Sequence, residues 1–190
     1  MKLTGLTIVA IMISSTMAAA AADAQRTNQA RLDHIQQTLS GDVPRMLCLD
    51  ERFATGGQPK EQAYTKASAA GFRSILSLRT AAEGIDLARE RKQVESNQMR
   101  YFSIPVNSLS PRPEQADEFL RIAKDKANHP MLVNCATANR VGAFMMILRV
   151  VEHGWSVEQA AEEAAKIGLR GEELKKFANN YIAQQKAKRR

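Results

Sequence analysis

Aromatic residues make up only 5% of this 190-residue chain, with a single tryptophan, and nowhere do they alternate with basic residues. That scarcity argues against a nucleic-acid surface, which needs rings to stack on bases as well as cations to meet phosphates. Cysteine is scarce too. Cys48 and Cys135 are too few for a disulfide scaffold and too far apart for a Cys-x-x-C redox motif. The three histidines, His34, His129 and His153, are scattered, and no Cys/His cluster has zinc spacing, so no metal and no other cofactor is expected. No internal repeat and no Pro/Gly/Ser-rich linker interrupts the chain after Gln25, which leaves one domain with extensions.

What is present is a globular composition, 44% hydrophobic and 25% charged, with a net charge of +7. The excess favours anionic partners in general, although a soluble basic surface accounts for it equally. The start of the chain has the form of an export signal. Lys2 supplies a positive end, residues 3–20 are apolar or small, and Ala22-Asp23-Ala24 offers a cleavage site before Gln25. Residues 1–24 are therefore expected to be removed, and the product to be periplasmic or secreted. The rival is an uncleaved anchor, which would be the only membrane contact. The expected organisation is a signal over 1–24, a helical lead-in over 25–45, a main domain over 46–170, and a basic helix and tail over 171–190.

The main domain alternates. A short apolar run at 46–49 precedes Gly56-Gly57-Gln58-Pro59, expected to be a turn with Pro59 opening a helix that stops at Gly71. Strands are expected at 72–78, 100–106 and 131–134. Helices are expected at 85–97, 114–127, 141–152, from the capping box Ser156-x-x-Gln159 to Gly168, and at 172–186. Strand, helix, strand at these intervals predicts an α/β fold with a central, mainly parallel sheet flanked by helices. Ligands in such sheets bind beyond the carboxyl ends of the strands.

At one of those ends lies Asn134-Cys135-Ala136-Thr137-Ala138-Asn139-Arg140, a strand end, a run of small residues and an arginine opening a helix. Small side chains let successive N–H groups turn inward around an anion, and the helix N-terminus adds its own. An arginine fork holds two oxygens of a tetrahedral anion. All three features favour a thiolate, and a thiolate beneath a cradled phosphate is placed for in-line attack.

The segment resembles the signature loop of the cysteine-dependent tyrosine and dual-specificity phosphatases, with Cys-x4-Arg in place of the usual Cys-x5-Arg. The shorter loop, together with Gly57-Gln58-Pro59, the stretch from Gly71-Phe72-Arg73 to Leu78-Arg79, Ile104-Pro105-Val106, Asn139-Arg140-Val141-Gly142, Gly154-Trp155-Ser156 and Gly168-Leu169-Arg170, resembles the beta-lactamase-hydrolase-like, DUF442-type phosphatase domain. The resemblance spans about residues 46–170. It implies a phosphatase-like fold, a phosphorylated protein or small molecule as partner, Cys135 as nucleophile, Arg140 as phosphate clamp, and Ala136, Thr137, Ala138 and Asn139 as the cradle, with no metal. Asn134, Arg79 and Asn107 are candidate pocket residues.

Four positions depart from that pattern. Asn134 stands where His is common, Ala138 where Gly is common, and Val141 where longer-loop enzymes carry Ser or Thr. The expected acid loop, residues 107–113, holds no carboxylate, so Glu114 and Asp117 are the candidate general acids. General acid help is worth roughly 10²–10⁴-fold, so its weakness would hurt aryl phosphates least. Two other functions fit parts of the pattern: an oxyanion-binding module without turnover, and a rhodanese-like sulfurtransferase, against which the closing arginine and the Gly-Gln-Pro motif speak. Cys48 is expected to be core, and Glu83 and Asp86 to be solvated.

Overall fold

The structure, a computed structural model, describes the backbone of residues 6–188 and the side chains of residues 21–188. Lys2, with the opening of the expected export signal, and the last two arginines lie outside the described residues. The described remainder of the signal segment is continuous with the lead-in, as one helix α1 (Leu6–Ser40). Among the described residues no helix is long and apolar enough to cross a membrane.

Five strands make one sheet: β1 (Leu47–Cys48), β2 (Phe53–Gly56), β3 (Ser74–Ser77), β4 (Arg100–Ser103) and β5 (Met131–Asn134), in the order β1-β2-β5-β3-β4. Only β1 runs antiparallel to its neighbour; β2, β5, β3 and β4 are parallel. The central strands are buried on both faces, as parallel strands with helices on either side must be, which explains why they carry adjacent apolar residues such as Ile75-Leu76 and Leu132-Val133. Met131 and Val133 face one helical layer, α4 (Pro113–Lys124), α5 (Asn139–Val151), α6 (Val157–Ile167) and α7 (Glu172–Lys188). Leu132 faces the other, α1, α2 (Glu61–Ala69) and α3 (Leu87–Ser96). Helices α2 and α3 cross over one face and α4 leads into β5 over the other, the change of face at which ligands of such sheets bind beyond the strands' carboxyl ends.

Strand β2 was not expected. Its four residues are too short to show a period, and its last, Gly56, belongs to the strand and not to the expected turn. The glycines at 56 and 57 serve close approach instead. A Cβ on Gly56 would lie 2.3 Å from Val43 Cγ1, and one on Gly57 would lie 2.9 Å from the Ala136 carbonyl oxygen and 3.1 Å from that of Pro44. Pro59 does not open α2; Lys60 caps it and Glu61 begins it. The other elements differ from expectation by a few residues at their ends, where helices and strands fray. Gly71 ends α2 with φ +89°, and Ser156 caps α6 through its bond from the Gln159 N–H, both as expected. Cys48 is half-buried in edge strand β1 and not in the core, its thiol pushed up to about 11 by burial and by the charge of Asp33. Neither cysteine is bridged.

Candidate active site

Strand β5 delivers Cys135 and α5 delivers Arg140, with four residues between them folded back against the end of β2. The Cys135 N–H donates to the Gly56 carbonyl (3.3 Å), and the Ala136 carbonyl accepts from the Gln58 N–H (3.3 Å). Thr137 forms an isolated bridge with Gly57. The N–H groups of Ala136 and Thr137 make no backbone bond, and those opening α5 have no partner within the helix. Together they give the loop a positive concave face. Ala138, fully buried, sits at φ +63°, the left-handed conformation that suits glycine. An alanine there costs on the order of 1 kcal/mol, against which its buried methyl returns about 0.8 kcal/mol.

Cys135 is 1% exposed, and it is close enough to Arg140 to raise the proton affinity of the guanidinium. Arg140 is itself buried. Its Nη1 donates to the carbonyls of Leu78 (2.9 Å) and Val106 (2.8 Å), at the ends of β3 and just past β4. Nη1 and Nη2 also donate to the two carboxylate oxygens of Glu83, at 2.6 and 2.7 Å. One edge of the guanidinium is thus fixed to protein, which leaves Nε and one Nη2 hydrogen outside these bonds. That free edge is the bidentate fork an oxyanion needs.

Glu83 is exposed, as expected, but its carboxylate is also tied to the loop arginine. It lies at the end of a T-x-x-E spacing, and its Oε1 accepts from the Thr80 N–H (2.9 Å) and hydroxyl (3.1 Å), which aims the carboxylate inward. Partial burial opposes its charge, but the bond from Arg140, the Thr80 N–H and the nearby Arg79 outweigh that and hold it at about 2. Burial likewise opposes the charge of Arg140, and Glu83 together with Cys135 raises its proton affinity above the ordinary value. Asp86 is exposed, as expected, and caps α3 by accepting from the Arg89 N–H (2.9 Å).

Arg79 joins this group. Its Nε faces Glu83 Oε2 at 2.7 Å, as an ion pair whose angle is not that of a hydrogen bond, and its Nη1 donates to Gln58 Oε1 (3.0 Å). Gln58 Nε2 in turn donates to buried Glu90 (2.8 Å), which also accepts the hydroxyls of Tyr64 (2.7 Å) and Tyr101 (2.5 Å). A polar chain thus runs from the loop arginine through Glu83, Arg79 and Gln58 to α3. A cleft of about 420 Å³ opens beside it, walled by Gln58, Pro59, Tyr64 and Arg79.

The remaining candidates divide. Asn139 Oδ1 accepts from the N–H groups of Arg170 (2.9 Å) and Gly171 (3.1 Å), tying the loop to the α6–α7 connection. Asn134 is fully buried, with neither its Oδ1 nor its Nδ2 partnered, a cost of about 1–3 kcal/mol. Asn107 Oδ1 accepts from the Leu109 N–H in its own turn (2.9 Å). Asp117 is engaged by the Tyr181 hydroxyl of α7. Glu83, held near 2, carries no proton at neutral pH and can donate none. Glu114, exposed in the first turn of α4, is the one suggested acid not engaged elsewhere.

Several solved structures share this fold. A DUF442 protein of Shewanella putrefaciens superposes with a TM-score of 0.67 at 19% identity, covering 78% of this chain and 97% of that one. The core catalytic domain of the PP-IP phosphatase SIW14 from S. cerevisiae gives 0.62 at 16%, covering 74% and 87%. TpbA of P. aeruginosa gives 0.59 at 20%, covering 74% and 84%. No curated protein sequence matches significantly. Residues 24–190 match the family model described as a DSP-PTPase phosphatase fused to NAD+ kinase. The chain belongs to that family and, through it, to the cysteine-dependent phosphatase superfamily.

Proposed function

We propose that this chain is a tyrosine- or dual-specificity-type phosphatase that hydrolyses phosphomonoesters through a cysteinyl-phosphate. The observation that carries the reading is a buried cysteine and a buried arginine at the two ends of one small-residue loop, with one edge of the guanidinium locked to Glu83. The phosphate enters the loop with its oxygens on the inward N–H groups and the free edge of Arg140. The Cys135 thiolate attacks phosphorus, the P–O bond to the leaving group breaks, and water then releases phosphate from sulfur. Positioning and charge neutralisation do most of this work. Phosphorylated ligands are consistent with the similar proteins: TpbA has been captured with pTyr, and SIW14 acts on PP-IP. The N-terminal signal pattern adds that the enzyme works after export, in a periplasm or outside the cell.

The test is turnover of an aryl phosphate. Wild-type protein is expected to hydrolyse it, vanadate to inhibit, and Cys135→Ser to abolish the reaction. No turnover in wild type, with oxyanion binding intact, would replace this reading with a second one, an oxyanion-binding module. That second reading is favoured by one observation, the engagement of Asp117 by Tyr181, which leaves surface Glu114 alone of the two expected acids.

A further inference from the structure

The arginines drawn into the fold have a carboxylate. Arg140 and Arg79 share Glu83, and Arg149 has Asp50 and Glu163. Two exposed arginines at the rim do not. Arg45 follows Pro44 in a left-handed backbone conformation (φ +55°) and donates from Nε to the Ile167 carbonyl (3.2 Å) and from Nη2 to that of Lys166 (3.5 Å). Arg170 donates from Nη1 to the Gly168 carbonyl (3.4 Å) and from Nη2 to Thr137 Oγ1 (2.9 Å). Among the described residues neither makes an ion pair, and Glu172 and Glu173, nearest in sequence to Arg170, are paired with Lys175 and Lys176.

The two guanidiniums converge on one residue. A Cβ on Gly168 would lie 2.9 Å from Arg45 Nε, and the Gly168 carbonyl is the acceptor for Arg170. Like charges gathered without an anion repel, and the carbonyls ending α6 offset only part of that. Capping α6 needs one cation, and the bonds to its carbonyls are long. The shortest bond either side chain makes is to Thr137, the exposed residue of the phosphate loop.

We propose that Arg45 and Arg170 form a second anion subsite, which selects phosphomonoesters bearing a further phosphoryl group close to the one cleaved. The inference rests on the loop being a phosphate cradle, as proposed above. With one phosphoryl group over Cys135, its neighbour reaches past Thr137 to the two forks. Arg170 then exchanges a neutral hydroxyl for a charged acceptor, and the pair gains the counter-charge it lacks. A ligand with a single phosphate leaves the subsite empty.

Calorimetric titration of orthophosphate and pyrophosphate into the full chain carrying Cys135→Ser tests this. Pyrophosphate is expected to bind about tenfold tighter or more, since each charge-assisted bond gained is worth at least that factor. Adding Arg45→Gln and Arg170→Gln is expected to bring the ratio close to one while leaving orthophosphate affinity within about threefold. Arg170→Gln alone repeats the test should the double change unfold the protein. Equal affinity for the two ligands in the parent, or parallel loss of both in the variants, overturns the subsite and leaves the phosphatase reading standing. Failure to bind even orthophosphate removes the cradle, and the subsite with it.

Discussion

Glu83 shows what a single side chain contributes at the loop. Its carboxyl sits at about 2 in the folded chain, below the ordinary 4.5, so the stability it lends is present above 4.5 and is lost as pH falls toward 2. Glu83→Gln leaves a buried guanidinium without its counter-charge, and breaking such a pair costs roughly 3 kcal/mol, or about 6–12 °C in Tm for a chain of this length. The variant is expected to melt lower at pH 7 and to lose most of that deficit near pH 2–3, as thermal melts across pH would show; a constant deficit would mean the pair contributes nothing. Cys135 and Arg140 are legible in the sequence because they are five positions apart on one loop. Glu83 is 57 positions from its partner, and nothing in local spacing names that partner. The Thr80-x-x-Glu83 spacing did carry a signal, a capping box, that points the carboxylate at its own backbone.

At the level of elements, α5 is the hub. It is buried over nearly its whole length, and Arg149 near its end is 2% exposed. Arg149 bonds Asp50 of the β1–β2 turn (2.8 Å) and Glu163 of α6 (2.7 and 2.9 Å), and stacks on Trp155 at 4.8 Å. Arg149→Ala strands two carboxylates and is expected to cost about 3–5 kcal/mol in denaturant unfolding, with the loop chemistry affected only through stability. A change below about 1 kcal/mol would show this cluster to be ornamental. Helices α4 to α7 were readable from their period and caps, and β5 from its apolar run against the small-residue loop. Strand β2 was not, because Phe-Ala-Thr-Gly has neither length nor alternation, and its pairing partner is about 80 residues away. The signal that Gly56 and Gly57 carry is steric and appears only once Val43, Pro44 and Ala136 are in place.

The whole molecule includes part of the segment ahead of the main domain. Ile35 and Leu39 of α1 are buried in the same cluster as Tyr64 and Ile75, and Gln36 Oε1 accepts the Cys48 N–H (2.9 Å). A chain starting at Gln25, as signal cleavage would leave it, keeps these contacts and is expected to melt within about 2 °C of the longer form. Starting at Gly41 instead forfeits roughly 1.5–3 kcal/mol for each of the two apolar side chains and should lower Tm by about 6 °C or more. Equal melting of the two truncations would mean α1 is not part of the fold.

Gly57 has a consequence for scale. Its N–H donates to the Pro44 carbonyl at 2.6 Å, and the loop carbonyl of Ala136 stands where a methyl would intrude. The turn leading to Arg45 and the loop carrying Thr137 are therefore held apart by one glycine backbone, with no room for a side chain. This residue works as a gauge block: it sets the span between the two charged stations, and so the length of molecule that can touch both.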